Sequence, residues 1–438
     1  MGTVSRCQDD PDGRTLDVEL SPAVQTALGD LAGAAKEGLL ALSVGVGLGV
    51  LEELMGEEVD ALCGPKGRHD PARTAVRHGR DDGTVTLGGR RLAVRKPRVR
   101  SKNGENEIPL SIYAHFASRD PLAGVVLERM LAGVSTRRYR RLQEPVGSGV
   151  ETRARSTSKS SVSRTFIACT QVALGELMAR RLDDLRLAVL MIDGIELQSH
   201  TNIVALGITT EGIKVPVGLW EGSTENKTVV TALLADLVSR GLDATQGVLA
   251  VLDGSKALRA GVNRVLGTRT PAQRCIRHKE RDVAGHLPER MREPVVRRLR
   301  AAWANEDYEQ ALSELRDLAR ELERQHPGAA ASLREGMEET LTVTKLGIVG
   351  KLKQTLQSTN PVESMIDTIG RISRNVKNWS SGKMTLRWTA AGMLEAEKQF
   401  RRVRGYAELG QLAIAVERLI NSPQLTPATP NHAVTINA

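Results

Sequence analysis

The sequence predicts an α/β protein: a mixed sheet core interrupted by a helical insertion and preceded by mostly helical regions. Three observations carry this. Leu187-Ala188-Val189-Leu190-Met191-Ile192 and Val248 to Leu252 are short, continuous apolar runs, the pattern of strands covered on both faces. Between them lie Asn202 to Thr209 and Ile213 to Trp220, joined at Glu211-Gly212 as a hairpin, then a helical stretch from Asn226 to Arg240. After the Lys256 to Val265 helix and Arg274 the pattern stays helical through Glu289 to Arg300, Tyr308 to Arg324 and Ala331 to Glu339. Only then does Pro361 to Val376 bring another strongly amphipathic helix, with Val362, Met365, Ile366, Ile369 and Val376 as its apolar positions.

A chain of 438 residues can hold two to four domains and at least one large core. Residues 1–62 read as an N-terminal helical region, in which Leu40, Leu42, Val44, Val46, Leu48 and Leu51 are too densely apolar to assign a single buried face. Residues 63–116 form a basic segment holding a two-stranded ribbon, Thr84 to Leu87 and Arg91 to Val94 around Gly88-Gly89, which Pro97 is expected to end. Residues 117–180 are helical, interrupted by a Gly/Ser-rich stretch around 147–161. Gly133 to Arg138 and Ser158 to Arg164 could each start a helix, as in a helix-turn-helix reader, although the connection is longer than that motif's usual turn and a plain helical linker fits equally. The sheet core then begins at residues 181–288, the helical insertion occupies 289–355, the core resumes over 356–412, and 413–438 form a tail.

The formal charge is +9, and between Lys66 and Lys102 twelve Lys and Arg face three Asp, an excess equal to the whole. A cationic stripe beside an otherwise neutral protein suits a surface that tracks phosphates, because each neutralised phosphate releases counterions. Arg73, Arg77, Arg91, Arg95, Arg98 and Arg100 are the candidates there; Arg137, Arg138, Lys159 and Arg164 sit at the two possible helix starts. The competing reading is a solvated loop with incidental charge. The most apolar of the long uncharged runs, Gly38 to Leu51, is shorter than the roughly 20 apolar residues a membrane span needs. Asp9, Asp10 and Asp12 lie where a signal peptide is positive, and the four cysteines have no paired spacing, so a reducing cytoplasm is expected.

Two apolar runs are followed alike, by Asp193-Gly194 and Asp253-Gly254. Rigid strand ends are where metal chelation and ligand binding are built, although a single Asp-Gly after a strand is more often a turn. Chemistry on a phosphodiester uses two cations, and two aspartates with a glutamate can hold them, because Mg²⁺ keeps water and substrate oxygens in its remaining positions. The third carboxylate is expected on a helix packed against the same sheet, and Glu363 in Ser358-Thr359-Asn360-Pro361-Val362-Glu363 is the candidate. An alternative stands beside it: with Asn360 as cap and Pro361 first, Glu363 would complete a capping box.

The order strand-Asp193-Gly194, hairpin, helix, strand-Asp253-Gly254, Gln273-Arg274-Cys275-Ile276-Arg277-His278, Thr359-Asn360-Pro361-Val362-Glu363 resembles the bacterial mutator-type insertion-sequence transposases. Gly133 to Arg137 and Glu397 to Tyr406 resemble them too, although Phe400 stands where a Trp is expected. The resemblance implies a DDE transposase with an RNase H-like core, a helical insertion between the second Asp and the Glu, and Asp193, Asp253 and Glu363 as catalytic residues and ligands of two Mg²⁺ or Mn²⁺ ions. It further implies binding of insertion-sequence ends, cleavage and strand transfer, with terminal inverted repeats and target DNA as partners. A homodimer or higher homo-oligomer on DNA, in a bacterial cytoplasm and nucleoid-associated when bound, is expected. Alternatives are a catalytically inactive transposase-derived DNA-binding protein and an RNase H-like nuclease without strand transfer. Cys275 and His278 match a Cys-x-x-His element of the family, either positioning DNA beside the metals or serving as a buried Cys with a satisfied His. Trp303, Trp379 and Trp388 are expected to be buried rather than to stack on a base.

Overall fold

A computed structural model describes residues 39–422, apart from 69–70, 72, 88–89, 119, 121–122, 140–153, 156–157, 223, 225, 244 and 246. The chain up to Gly38, the Gly88-Gly89 turn, most of the Gly/Ser-rich stretch and the tail beyond Ser422 lie outside the described residues. The chain divides into two compact units, residues 1–130 with 134–166, and 131–133 with 167–438. Among the described residues no helix is long and apolar enough to cross a membrane.

In the first unit, α1 (Leu39–Cys63) lies on a long hairpin, β1 (Ala75–Leu87) and β2 (Arg90–Ser101). The face that could not be chosen from composition is Val44, Leu51, Met55, Val59 and Cys63, which pack with Val85, Leu87, Leu92, Val94 and Val99 of the hairpin. Val46 points to solvent instead. Pro97 does not end the ribbon. It pairs opposite Arg80 where the register shifts, a place in which a missing backbone donor is tolerated, so β2 runs on to Ser101 and gains short partners in β3 (Glu107–Ile108) and β4 (Ala154–Arg155). The unit also holds α2 (Ser111–Ser118) and most of α3 (Ala123–Leu131). Gly133 is left-handed, and the turn behind it is built on Ser135, whose carbonyl accepts the Arg138 and Tyr139 amides. Ser158 caps α4 (Lys159–Ala179), its hydroxyl accepting the Ser161 amide at 3.1 Å.

The second unit is built on a five-stranded mixed sheet in the order β7-β6-β5-β8-β9. β5 (Leu187–Leu197), β6 (His200–Thr209) and β7 (Lys214–Gly222) are antiparallel; β8 (Leu249–Leu252) runs parallel to β5, and β9 (Ala272–Arg274) parallel to β8. Strand β5 does not stop at Asp193. Its ladder with β8 ends at Ile192 and Leu252, but its ladder with β6 continues to Leu197 and His200. Alternation along a strand then decides which way each side chain faces. Leu190, Ile192, Ala250 and Leu252 join Val230, Leu233, Leu234 and Leu237 of α5 (Lys227–Ser239) and Leu258 and Val262 of α6 (Lys256–Val265) in one core. Asp193 and Asp253, each one residue further along, therefore project to the opposite face. Asn226 caps α5, accepting the Thr228 and Val229 amides.

From β9 the chain enters α7 (Ile276–Gly285), α8 (Glu289–Ala304), α9 (Tyr308–Glu323), α10 (Pro327–Arg334), α11 (Thr342–Lys345) and α12 (Gly350–Leu356). Val283, Leu299, Trp303, Leu315, Leu322, Leu333 and Leu341 give these helices a core of their own. The chain returns to the sheet as α13 (Asn360–Ser373) and α14 (Gly382–Glu397), which pack on β5, β6 and β7, and closes with α15 (Leu409–Asn421). Val362, Met365, Ile369 and Ile372 form the buried stripe of α13; Val376 lies past its end. Fully buried Asn202 on β6 locks α14 in place, donating to Thr389 Oγ1 at 2.8 Å and accepting from Thr385 Oγ1 at 3.2 Å. Trp303, Trp379 and Trp388 are all buried, and Trp303 donates to Thr340 Oγ1 at 3.0 Å. They support packing, not base stacking.

Candidate active site

Asp193 and Asp253 follow directly on the last paired residues of two adjacent parallel strands. Neighbouring strands lie about 4.8 Å apart, so the two carboxylates start from adjacent backbone positions on one face. The two Asp-Gly pairs are not equivalent. Gly194 stays within β5, its amide donating to Asp193 Oδ1 at 2.9 Å. Gly254 turns left-handed with φ +113°, and a Cβ there would overlap the Arg274 guanidinium. At 253–254 the turn expected of Asp-Gly is real, and Asp253 Oδ1 accepts the Ser255 amide at 2.8 Å.

Glu363 is brought to this edge across 110 residues by backbone ties. The Cys275 amide donates to the Leu252 carbonyl at 2.8 Å, next to Asp253, and the Ile276 amide donates to the Gln357 carbonyl at 2.9 Å. Gln357 also donates its side-chain amide to the Trp303 carbonyl at 3.0 Å, fixing the strand-to-helix corner to the insertion. The Thr359 amide donates to Cys275 Sγ at 3.4 Å. Thr359, not Asn360, is the helix cap, so α13 starts one residue earlier than the capping box requires. With its amide committed to Cys275, Thr359 offers Glu363 its hydroxyl instead, 2.6 Å from Oε1. The box is not formed, and Glu363 is left as a half-exposed carboxylate at the edge of the sheet.

The electrostatics join the three acids. Burial, then the charge of Asp253, raise the Asp193 carboxyl to about 7, against the Gly194 amide and His278, with Glu363 adding to the rise. Cys275 is fully buried. Burial pushes its thiol up, but hydrogen bonding with His278 and Thr359 outweighs that and holds it below the ordinary thiol value. His278 is held above its usual value first by Cys275, against burial, with Asp193 contributing. Its Nδ1 lies 3.8 Å from Glu363 Oε1 and 3.5 Å from Thr359 Oγ1. Cys275 and His278 are thus part of the same cluster, and Thr359, which the sequence reading passed over, is its hub. Only its place four residues before Glu363 could have drawn notice.

The basic residues divide by geometry. Arg91 and Arg95 are exposed on the outer face of the ribbon, as is Arg80, which adds to the charge of the segment but is not among the candidate phosphate contacts. Arg77 is bonded to Asp60 and the Gly64 carbonyl, and Arg98 forks onto Glu107 at 2.8 and 3.1 Å, so both serve the fold. Arg73 and Arg100 are half-buried, each with an Nε that meets no partner among the described residues. Arg137, Arg138, Lys159 and Arg164 are exposed.

A mixed sheet that gathers two aspartates from adjacent strands and a glutamate from a returning helix defines a carboxylate-site protein of the α/β class. Its family is clear: the chain belongs to the Mutator family of transposases, whose pattern, described as Transposase, Mutator family, matches residues 30–403. It is similar to the transposase for insertion sequence element ISRM5 of Rhizobium meliloti (strain 1021), 24% identical over 83% of this chain and 89% of the relative. It is similar as well to the transposase for IS1081 of Mycobacterium tuberculosis, 25% identical over 85% of this chain and 88% of the relative. The transposase for IS256 in transposon Tn4001 of Staphylococcus aureus is 24% identical over 70% of this chain and 77% of the relative.

Proposed function

We propose that the protein is a DDE transposase with an RNase H-like core, which cuts DNA at the ends of its insertion sequence and joins the freed 3′-hydroxyls to target DNA. What supports the reading is that Asp193 and Asp253 follow the shared ladder of adjacent strands and that the charges of Asp253 and Glu363 both act on the Asp193 carboxyl. The strand order, three antiparallel strands followed by two parallel ones, supports the core assignment. The donor set fits hard divalent cations: all three side chains offer carboxylate oxygens, and the Asp193 carboxyl, raised first by burial, is raised further by the Asp253 and Glu363 charges that a cation would offset. Asp193, Asp253 and Glu363 are the residues that would hold two Mg²⁺ or Mn²⁺ ions, which in such sites activate the attacking oxygen and stabilise the leaving one. The sheet keeps the two aspartates fixed, and Thr359 fixes the Glu363 rotamer through its hydroxyl.

The test is a gel assay with DNA carrying the element's own ends. Wild-type protein with Mg²⁺ yields cleaved ends and strand-transfer products; Asp253→Asn keeps end binding and loses both by orders of magnitude, because a ligand charge is gone and the shape is kept. Cleavage without joined products assigns a nuclease instead.

The exposed ribbon arginines are the phosphate contacts in this reading. Replacing Arg91 and Arg95 together is expected to flatten the salt dependence of DNA binding by about 2 in log–log slope, roughly 0.9 per contact, for every DNA sequence alike. Replacing Arg77 or Arg98 is expected to lower stability more than slope, since each is tied to a carboxylate within the unit. Equal slopes for wild type and the Arg91/Arg95 double variant would discard the ribbon as a DNA surface.

A further inference from the structure

We propose that Cys275, His278 and Glu363 form a second cation site, separate in chemistry from the carboxylate set, that takes a single thiophilic divalent ion such as Zn²⁺. One ligand atom from each of the three lies within 4.8 Å of the other two. Thr359 Oγ1 stands among them, 3.3 Å from Cys275 Sγ, 3.5 Å from His278 Nδ1 and 2.6 Å from Glu363 Oε1, so a polar atom already occupies the point on which all three converge.

The local fold explains the convergence. Cys275 is the N-cap of α7, and His278 is that helix's third residue, so the imidazole leans back toward the thiol. Glu363 comes from the first turn of α13, whose cap residue donates its amide to the same sulfur. A single hydroxyl hydrogen on Thr359 cannot serve both Glu363 and Cys275; the 2.6 Å contact assigns it to the carboxylate and leaves the sulfur with the amide. An amide N–H aimed at a buried sulfur favours its thiolate form, the form that binds metal. A mixed sulfur, imidazole and carboxylate set selects zinc-like ions, whereas Mg²⁺ and Mn²⁺ prefer oxygen alone.

The two sites share Glu363. The binding stands on the geometry; its consequence rests on the transposase reading above. With Glu363 drawn to the Cys275 side, the carboxylate set is one ligand short, and a zinc-type ion would hold the enzyme inactive.

The experiment is titration of the full-length protein with Cd²⁺ in magnesium-free buffer, reading the ultraviolet thiolate-to-cadmium charge-transfer band, with Zn²⁺ as competitor. One Cd²⁺ per chain with a single-thiolate band, displaced by Zn²⁺ and lost in Cys275→Ala, is the expected result. His278→Ala keeps the thiol and is half-exposed, so it tests the site even where Cys275→Ala fails to fold. It should weaken Cd²⁺ by more than the roughly 10–100-fold that losing an outer-shell partner costs. No band in wild type, or a band that survives in Cys275→Ala, overturns the site. Magnesium-driven end cleavage undiminished at saturating Zn²⁺ overturns the sharing of Glu363. Wild type that binds Cd²⁺ through Cys275 and never cuts end DNA in Mg²⁺ upholds the site and counts against the transposase chemistry alone.

Discussion

Glu363→Gln is expected to bind insertion-sequence ends as wild type does, to keep its stability within about 1 kcal/mol, and to lose at least about 10³-fold in end cleavage. The substitution preserves volume and leaves an amide oxygen that still accepts from the Thr359 hydroxyl, so the α13 corner should hold. What disappears is one of three charges at the sheet edge. The capping-box alternative predicts the reverse, since glutamine also caps and neither activity nor stability should move. Already the geometry disfavours it, because the Thr359 amide goes to Cys275 and the helix begins a residue too early. Cleavage and thermal melting of this one variant decide the matter, and full activity would take Glu363 out of the site. A double substitution with Asp253→Asn should be scarcely worse than either alone, because residues that act as one unit are not additive.

Asp193→Asn is expected to stabilise the metal-free protein at pH 8 while abolishing cleavage. The Asp193 carboxyl in the folded chain titrates at about 7, chiefly because it is buried and then because Asp253 is beside it. In the unfolded chain it titrates near 3.9, so between these values the unfolded state releases its proton first. Stability is therefore fully present below about pH 4, falls as pH rises through about 7, and is flat beyond, a loss on the order of 2–4 kcal/mol. Asparagine has no charge to bury, so the difference in unfolding free energy between variant and wild type should grow across that window and then level. Denaturant unfolding of both proteins in chelator from pH 4 to 8 measures it directly. A difference that stays constant over that range contradicts the buried, charge-crowded description of Asp193. Added Mg²⁺ should close the gap by stabilising wild type alone, since a ligand that binds only the folded state raises its stability.

The parts of the fold visible in the chain were those with an uninterrupted local pattern. The apolar runs at Leu187 and Val248 are strands, and the hairpin and the first two helices of the insertion lie within a few residues of their expected bounds, whereas the helix expected over Ala331 to Glu339 is displaced to Pro327–Arg334. Strand β9 had no such pattern: it is three residues long and carries Gln273 and Arg274 into a buried position. Distant partners meet them there, Gln273 bonding the Thr340 carbonyl and the Val343 amide and Arg274 the Glu335 carbonyl, although Arg274 Nε meets no hydrogen-bond partner among the described residues. Pro97 misled for a similar reason, because whether a proline ends a strand depends on the register of the partner strand.

At the candidate site, sequence alone singled out the side chains proposed for the chemistry. Asp193 and Asp253 follow apolar runs, and the periodicity of 2 in a strand already commits each to the face opposite its neighbour's core contacts. Adjacency was decided only by tertiary structure: that β5 and β8 are neighbours in parallel register, and that a chain leaving at Cys275 returns at Thr359 to the same point. Those contacts join residues 60 and 84 positions apart, and no local propensity encodes them. They depend on burying the two faces of the sheet and on satisfying the polar groups at its edge, which couples Glu363, Cys275 and His278 through one threonine hydroxyl.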